Sequence, residues 1–247
     1  LSVARATPDR RMPGADSVST VRADIYSNGR VVRRRHGRHA HRSAREIARI
    51  GDGAVTVAQS LERAERIQGW MDRDELEWLA EQAAQSSKIV EVGSWCGRST
   101  RAIADATSGT VWCVDPWTGT QGAEIAQVKT GELLVLSKLM KRRVFAAFVD
   151  NLSDHLATGH VQVLPTRSMF AIQVLRCLAP FDLVFLDGDH AFTSIAPEIE
   201  QFRPLVRPGG ILAGHDYGCE RWPEVTRAVD ALVPDRQVVN RIWWTRV

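Results

Sequence analysis

The sequence predicts an α/β protein built on a doubly wound, mostly parallel sheet. Short apolar runs alternate with longer segments of helical periodicity, which is the pattern of parallel strands joined by helices. Within most of the runs successive residues are apolar, as strands buried on both faces must be. We expect the strand order 3-2-1-4-5-7-6, in which the last two strands form an antiparallel pair. The predicted strands cover residues 89–92, 111–114, 161–164, 181–186, 211–213, 237–240 and 242–247.

The first predicted strand leads into a glycine turn. Glu91 stands near its end, and Gly93 and Gly97 let the backbone turn sharply and approach a ligand without a Cβ in the way. Ser99 lies where the following helix begins, a place that favours Ser and Thr. A plain strand-turn-helix unit with tightly packed glycines has the same pattern, so the turn needs support from the other strands.

The other strands give that support, because they too end in ionisable residues. The second strand ends at Asp115, 22 residues after Gly93, where nucleoside sites place an acid that accepts hydrogen bonds from ribose hydroxyls. In open α/β sheets ligands lie outside the carboxyl ends of the strands, so these residues predict one binding site. The fourth and fifth strands are followed by Asp187, Asp189, His190, His215 and Asp216.

Taken in this order, the motifs resemble those of the class I S-adenosylmethionine-dependent methyltransferases, and among them the bacterial small-molecule O-methyltransferases of the catechol and macrocin type. The resemblance runs from about residue 69 to residue 232, and residues 91–100, 114–117, 186–190 and 208–217 carry it. It implies a Rossmann-like fold, S-adenosylmethionine (SAM) as cofactor, and methyl transfer to a hydroxyl of a small-molecule acceptor. One departure is Trp95, which stands where the commonest loop has its middle glycine.

The resemblance also implies which residues meet the cofactor. Glu91 and the turn from Gly93 to Gly97 would face the methionine part, Asp115 the ribose diol and Trp117 the adenine edge. Ser168, near the end of the third strand, would reach the adenine region. The predicted cofactor-binding residues are Glu91, Gly93, Ser94, Trp95, Gly97, Ser99, Asp115, Trp117, Ser168 and Asp187.

For the chemistry, the protein must align an acceptor oxygen and help to remove its proton. Asp187 and Asp216 end neighbouring strands roughly 4.8 Å apart, so both carboxylates could bind one hard cation such as Mg²⁺. Metal-dependent relatives carry acids at these strand ends, although His215 stands where many of them have a further acid. His190 and His215 compete for the role of base, because an imidazole with a pKa near ~6.5 can take a proton at neutral pH. Either histidine could instead only bond a neighbouring group.

Helical patterns precede and interrupt the sheet. Asp72 with Glu75 predicts a capping box, residues 57–67 form an amphipathic stretch, and residues 223–233 form a short helix before the final pair. Trp70 is expected to anchor the core. Between the second and third strands, a loop at 118–122 and a helical segment at 132–152 sit beside the predicted cleft, where we expect them to shape the acceptor pocket.

Composition divides the 247 residues into three parts. Residues 1–50 hold 12 arginines and 4 acids, a net charge of 12 − 4 = +8, whereas the whole chain carries +3. We expect residues 1–43 to be a disordered basic arm, 44–88 a helical lead-in and 89–247 the SAM-binding domain. The four cysteines are scattered, as reduced thiols of a cytoplasmic protein would be, and no run approaches the ~20 apolar residues of a membrane span.

Two other functions fit parts of the pattern. A nicotinamide-dependent oxidoreductase also has a glycine turn and an acid after the second strand, but the spacing here is Gly-x-x-x-Gly and no tyrosine-lysine catalytic pair is present. A non-catalytic module could bind nucleic acid through the arginines of residues 30–45. Homodimerisation is left open by the sequence.

Overall fold

The computed structural model describes residues 57–118 and 143–247, together with the backbone of Tyr26–Ser27 and Arg30–Val31. Within the two long ranges, seven strands form one sheet in the order β3-β2-β1-β4-β5-β7-β6. Its strands are β1 (Lys88–Val92), β2 (Thr110–Val114), β3 (Val161–Leu164), β4 (Phe181–Leu186), β5 (Val206–Gly214), β6 (Gln237–Val239) and β7 (Ile242–Arg246). The first five pair in parallel, and β7 pairs antiparallel with both β5 and β6. The predicted strand order is therefore confirmed.

Helices cover both faces of this sheet. They are α1 (Val57–Glu65), α2 (Arg73–Ala83), α3 (Arg98–Ala106), α4 (143–151), α5 (Ser153–Ala157), α6 (Ser168–Leu178), α7 (Phe192–Phe202) and α8 (Pro223–Leu232). Alternate strand residues enter opposite layers, because successive side chains of a strand point to opposite faces. Ile89 packs with Leu76 of α2 and Ile103 of α3, whereas Val90 packs with Ile172 of α6 and other residues of the second layer.

The lead-in to the sheet begins as predicted. The carboxylate of Asp72 accepts a hydrogen bond from the Glu75 backbone N–H at 3.0 Å, and the Asp72 N–H donates to Glu75 Oε2 at 2.9 Å, which completes the capping box. The expectation for Trp70 is wrong. Its side chain is 67% exposed and its indole lies against that of Trp95, with 5.6 Å between ring centroids.

The fifth strand differs from its predicted extent. It begins at Val206 instead of residue 211, with an irregularity in its pairing with β4. The glycines that predict a turn lie inside this irregular stretch, where the Gly209 N–H donates to the Val247 carbonyl at 2.6 Å. A partner far along the chain therefore holds this backbone in the sheet.

Several expectations lie outside the described residues. They concern most of the arm at 1–43, the loop at 119–122 and the helical segment before residue 143. Inside the arm, Tyr26–Ser27 pairs antiparallel with Arg30–Val31. Among the residues that are described, no helix is both long and apolar enough to cross a membrane.

Candidate active site

The turns that follow the parallel strands are bonded side by side. The Gly93 N–H donates to the Val114 carbonyl of β2 at 2.8 Å, and the Asp187 N–H donates to the Val92 carbonyl of β1 at 2.8 Å. His215 continues the row by donating its N–H to Leu186 of β4 at 3.1 Å. The predicted site residues after β1, β2, β4 and β5 therefore share one edge of the sheet.

Close contact between two of these turns requires glycine at residue 93. Its φ is +92°, and a Cβ there would lie 2.0 Å from the Asp187 carbonyl oxygen. Gly97, with φ +90°, packs differently, because its Cβ would lie 2.3 Å from Leu152 Cδ2 just after α4. Gly93 thus joins the β1 and β4 turns, whereas Gly97 makes room for the residues that cover α3.

Glu91 is a buried carboxylate beneath the glycine turn. Its Oε2 accepts hydrogen bonds from Ser94 Oγ at 2.6 Å and from Thr100 Oγ1. Among the described residues Oε1 has no hydrogen-bond partner. Burial raises the pKa of Glu91, and the hydroxyls of Ser94, Ser99 and Thr100 oppose that rise only in part. One buried oxygen is therefore left to accept a hydrogen bond.

Asp115 binds backbone N–H groups of the turns that follow β1 and β2. Its Oδ2 accepts from the Trp95 N–H at 2.9 Å and its Oδ1 from the Trp117 N–H at 2.6 Å. Burial raises the pKa of Asp115, while these two hydrogen bonds lower it. Trp95 and Trp117 both adopt positive φ, at +47° and +45°, which is unusual for a large side chain. Asp115 thus stabilises a strained turn at the place predicted for the ribose.

The two tryptophans of this turn have different surroundings. The Trp117 indole is 5% exposed, lies 4.8 and 4.9 Å from the rings of Phe145 and Phe148, and donates from Nε1 to the Trp95 carbonyl at 2.8 Å. This burial does not favour the predicted contact of Trp117 with the adenine edge. The Trp95 indole is partly exposed beside Trp70, at the margin of the site.

Ser168, predicted near the adenine, is the first residue of α6 and is buried. Its Oγ donates to Glu198 Oε1 at 2.5 Å. Glu198 lies on α7, and the sequence motifs did not mark it.

His215 lies inside a group of three carboxylates. Its Nδ1 is 3.6 Å from an oxygen of Asp187 and 3.6 Å from one of Asp216, and its Nε2 is 3.1 Å from Glu75 Oε1. Burial alone would lower the pKa of His215, but the nearby carboxylates of Asp187, Asp216 and Glu75 raise it to about 12. A ring that keeps its proton at neutral pH is poorly suited to act as a base, so the geometry favours a positioning role for His215.

Glu75 connects this group to the lead-in helix. Its side chain is fully buried, and Arg241 contacts it through Nε at 3.2 Å and Nη2 at 3.3 Å. Burial would raise the pKa of Glu75, but His215, the Asp72 N–H and Arg241 together lower it. The sequence marked Glu75 only as a helix cap, because neither of its distant partners is visible from local pattern.

His190 is held from two sides. Its Nε2 lies 2.9 Å from Asp216 Oδ2, and its ring stacks on the Trp222 indole with centroids 4.3 Å apart and planes 12° apart. Burial lowers the pKa of His190, but Asp216, Asp187 and Asp189 outweigh it and the pKa rises. Trp222 was not identified from the sequence. A stacked imidazole paired with a carboxylate has the arrangement of an oriented general base.

The same residues fit a divalent cation. Asp187, His190 and Asp216 each offer a ligand atom, and these atoms lie within 4.8 Å of one another. Two carboxylates and an imidazole suit ions that accept oxygen and nitrogen ligands. The predicted pair of Asp187 and Asp216 is thus brought together, with His190 as a third donor. Asp189 instead serves the start of α7, since it accepts from the Ala191 N–H at 3.3 Å and from Ser194 Oγ at 3.0 Å.

Residues 90–217 match a family model described as a methyltransferase domain, and they make up more than half of the chain. The chain belongs to this methyltransferase family. The resemblance found in the sequence motifs is confirmed, and neither the oxidoreductase nor the non-catalytic module is favoured. A search of curated proteins found no significant match.

The methyltransferase also resembles solved structures. Rv0187 from MTB, solved with a cofactor bound, has 18% identity and a TM-score of 0.53, over 77% of this chain and 88% of that chain. An O-methyltransferase from Bacillus cereus in complex with SAH has 17% identity and a TM-score of 0.52, over 77% and 89%. TomG from Streptomyces achromogenes, an O-methyltransferase solved with SAM, has 14% identity and a TM-score of 0.52, over 77% and 88%. These likenesses establish the fold.

Proposed function

We propose that this protein transfers the methyl group of SAM to a hydroxyl of a small molecule. Membership of the methyltransferase family supports the reaction class, and the O-methyltransferase names of two proteins with the same fold support the acceptor atom. The observation that carries the proposal is His190, paired with Asp216 and stacked on Trp222. An oriented imidazole at that place suits removal of a hydroxyl proton.

The residues divide the work between the donor and the acceptor. When bound, the donor supplies a methyl group that is already activated on a sulfonium. Glu91 Oε1, which has no hydrogen-bond partner among the described residues, would accept from the amino group of the methionine part. Asp115 would accept from the ribose hydroxyls with lone pairs not used by the turn. Nδ1 of His190, which has no hydrogen-bond partner among the described residues, would take the acceptor proton, and Asp216, which lies 2.9 Å from Nε2, would stabilise the resulting imidazolium.

A divalent cation is part of the proposal. Asp187 and Asp216 would hold Mg²⁺, which would bind the acceptor oxygen and lower the pKa of its hydroxyl. His190 cannot be a ligand and a base at once, so we assign it as the base. Removal of divalent ions with EDTA should slow methyl transfer, and Mg²⁺ should restore it. If EDTA leaves the rate of methyl transfer unchanged, the role of the cation is refuted, whereas the role of His190 as the base is not.

The test of the function uses a radiolabelled methyl donor with sugar, phenol and macrolide acceptors, together with calorimetry of SAH binding. We expect SAH to bind and at least one hydroxyl acceptor to be labelled. His190→Ala should reduce labelling by roughly 100-fold or more, as loss of a general base does, while SAH binding is kept. His160→Ala is the matched control, because the imidazole of His160 bonds the Ala104 carbonyl and lies beside the ring of His155, and the proposal places neither residue in the site. No labelling of any acceptor by the wild-type protein would refute the proposed function.

A further inference from the structure

Glu198 is a buried carboxylate beside the site, and the proposed methyl transfer gives it no role. It is 3% exposed on α7, and its Oε1 accepts the hydrogen bond from Ser168. Its Oε2 is also buried and has no hydrogen-bond partner among the described residues. A carboxylate is seldom placed in an apolar layer without a use for its oxygens, because desolvation is costly.

The position of Glu198 relates it to two of the site loops. Ser168 begins α6 after the short turn that follows β3, and Gly188 follows Asp187 after β4. A Cβ built on Gly188 would lie 3.7 and 3.9 Å from the two carboxylate oxygens of Glu198. Glu198 therefore lies beneath both loops, on the face of the sheet that α6 and α7 cover.

The order of the strands indicates which part of the donor lies above. Along the edge of the sheet, Asp187 follows β4, Glu91 lies near the end of β1, Asp115 follows β2, and β3 comes next. If the methionine part lies at Glu91 and the ribose at Asp115, as the proposed function requires, the base extends toward Ser168. The inference below rests on that placement.

Hydrogen-bond chemistry then fixes what Ser168 can recognise. A serine hydroxyl has one proton and two lone pairs, and the proton of Ser168 is used in the bond to Glu198. Its oxygen can therefore only accept. The exocyclic amine of adenine donates, whereas the oxygen at the same place in hypoxanthine accepts and would be repelled. We propose that Glu198 is a positioning residue that orients the Ser168 hydroxyl as an acceptor for the exocyclic amine of adenine.

The ionisation of Glu198 agrees with this arrangement. Burial raises the pKa of Glu198 to about 7, with Ser168 opposing the rise and Asp189 adding to it. An ionised carboxylate can only accept, so it holds the Ser168 hydroxyl in this orientation above the pKa of Glu198, whereas a protonated carboxyl could itself donate to Ser168.

The experiment compares two ligands that differ at that edge of the base, where one has an exocyclic amine and the other has an oxygen with a proton on the neighbouring N1. Calorimetry measures the binding of SAH and of S-inosylhomocysteine to the full chain. We expect the wild-type protein to bind SAH about tenfold more tightly or better, since a wrongly paired buried polar group lowers the affinity of a ligand by about that factor. In Glu198→Gln the amide can donate to Ser168 and reverse its hydroxyl, so the preference should fall to about twofold or less. Ser168→Ala should lose the preference in the same way.

Glu200→Gln is the control, because Glu200 lies two residues along the same helix and is exposed. It should keep the wild-type preference. A ratio of two affinities reports recognition of this edge of the base, since a general loosening of the site weakens both ligands together. If Glu198→Gln fails to fold, as judged by circular dichroism, Ser168→Ala carries the test.

The outcomes separate the two proposals. If SAH binds and the preference persists in Glu198→Gln and Ser168→Ala, the role of Glu198 is refuted and the methyltransferase proposal stands. If the wild-type protein binds neither ligand, both proposals fail.

Discussion

Replacement of Glu75 by leucine should destabilise the protein far more than loss of a helix cap. Glu75→Leu removes the partner of His215 and Arg241 from a fully buried position, and it also removes half of the capping box of α2. Loss of one partner of a buried ion pair costs about 3–5 kcal/mol, because it leaves the other charge buried without compensation. Loss of the cap adds about 1 kcal/mol. We therefore expect a loss of about 4–6 kcal/mol in the free energy of unfolding.

Asp72→Ala provides the matched control. It removes the other half of the same capping box, and Asp72 is exposed and does not contact His215. This variant should lose only about 1 kcal/mol. Urea unfolding at pH 7, followed by circular dichroism, measures both variants. Equal stability of Glu75→Leu and Asp72→Ala would refute the idea that Glu75 compensates the buried imidazolium.

Three further predictions follow from the same contacts. The free energy of unfolding should fall as the pH rises above 6.5, because folding raises the pKa of His215 from 6.5 to about 12 and the stabilisation that is complete below pH 6.5 is lost as the pH approaches 12. Urea unfolding measures this decrease with pH, and His215→Asn should lack it. An equal decrease in both proteins would contradict the assignment to His215. Asp115→Ala should weaken SAH binding by about tenfold or more, and calorimetry showing an unchanged Kd would exclude a ribose contact. Gly93→Ala should abolish SAH binding, because the added Cβ would lie 2.0 Å from the Asp187 carbonyl oxygen. The control Gly218→Ala should bind SAH normally, because Gly218 also has a positive φ, at +75°, but has open space around it. Normal binding by both variants would show that the β1 turn can relax.

Some features of the fold followed directly from local pattern. Apolar runs and helical periodicity predicted the parallel strands, and the rule that ligands meet the carboxyl ends of parallel strands predicted that Asp187, His190 and Asp216 would come together. The start of β5 was missed, because Pro208 and its two glycines have the composition of a turn. Their place in the sheet depends on Val247, which lies at the other end of the last hairpin.

Side-chain environments were less predictable than strands. Trp70 was expected in the core on the basis of its size, but exposure depends on which elements surround a residue, and here the ring lies against Trp95 at the surface. Trp222 stacks on His190 from a loop beyond β5, and no spacing in the sequence relates the two.

The sequence by itself determined the positions of the strands, the glycine turn and the acids that line one edge of the sheet, because backbone periodicity and turn chemistry act over a few residues. Only the tertiary structure assigns His215 an environment of three carboxylates, which raises the pKa of its imidazole. That assignment depends on Glu75, Asp187 and Asp216, which approach from separate elements, and only the folded chain sets the distances on which their electrostatic interactions depend.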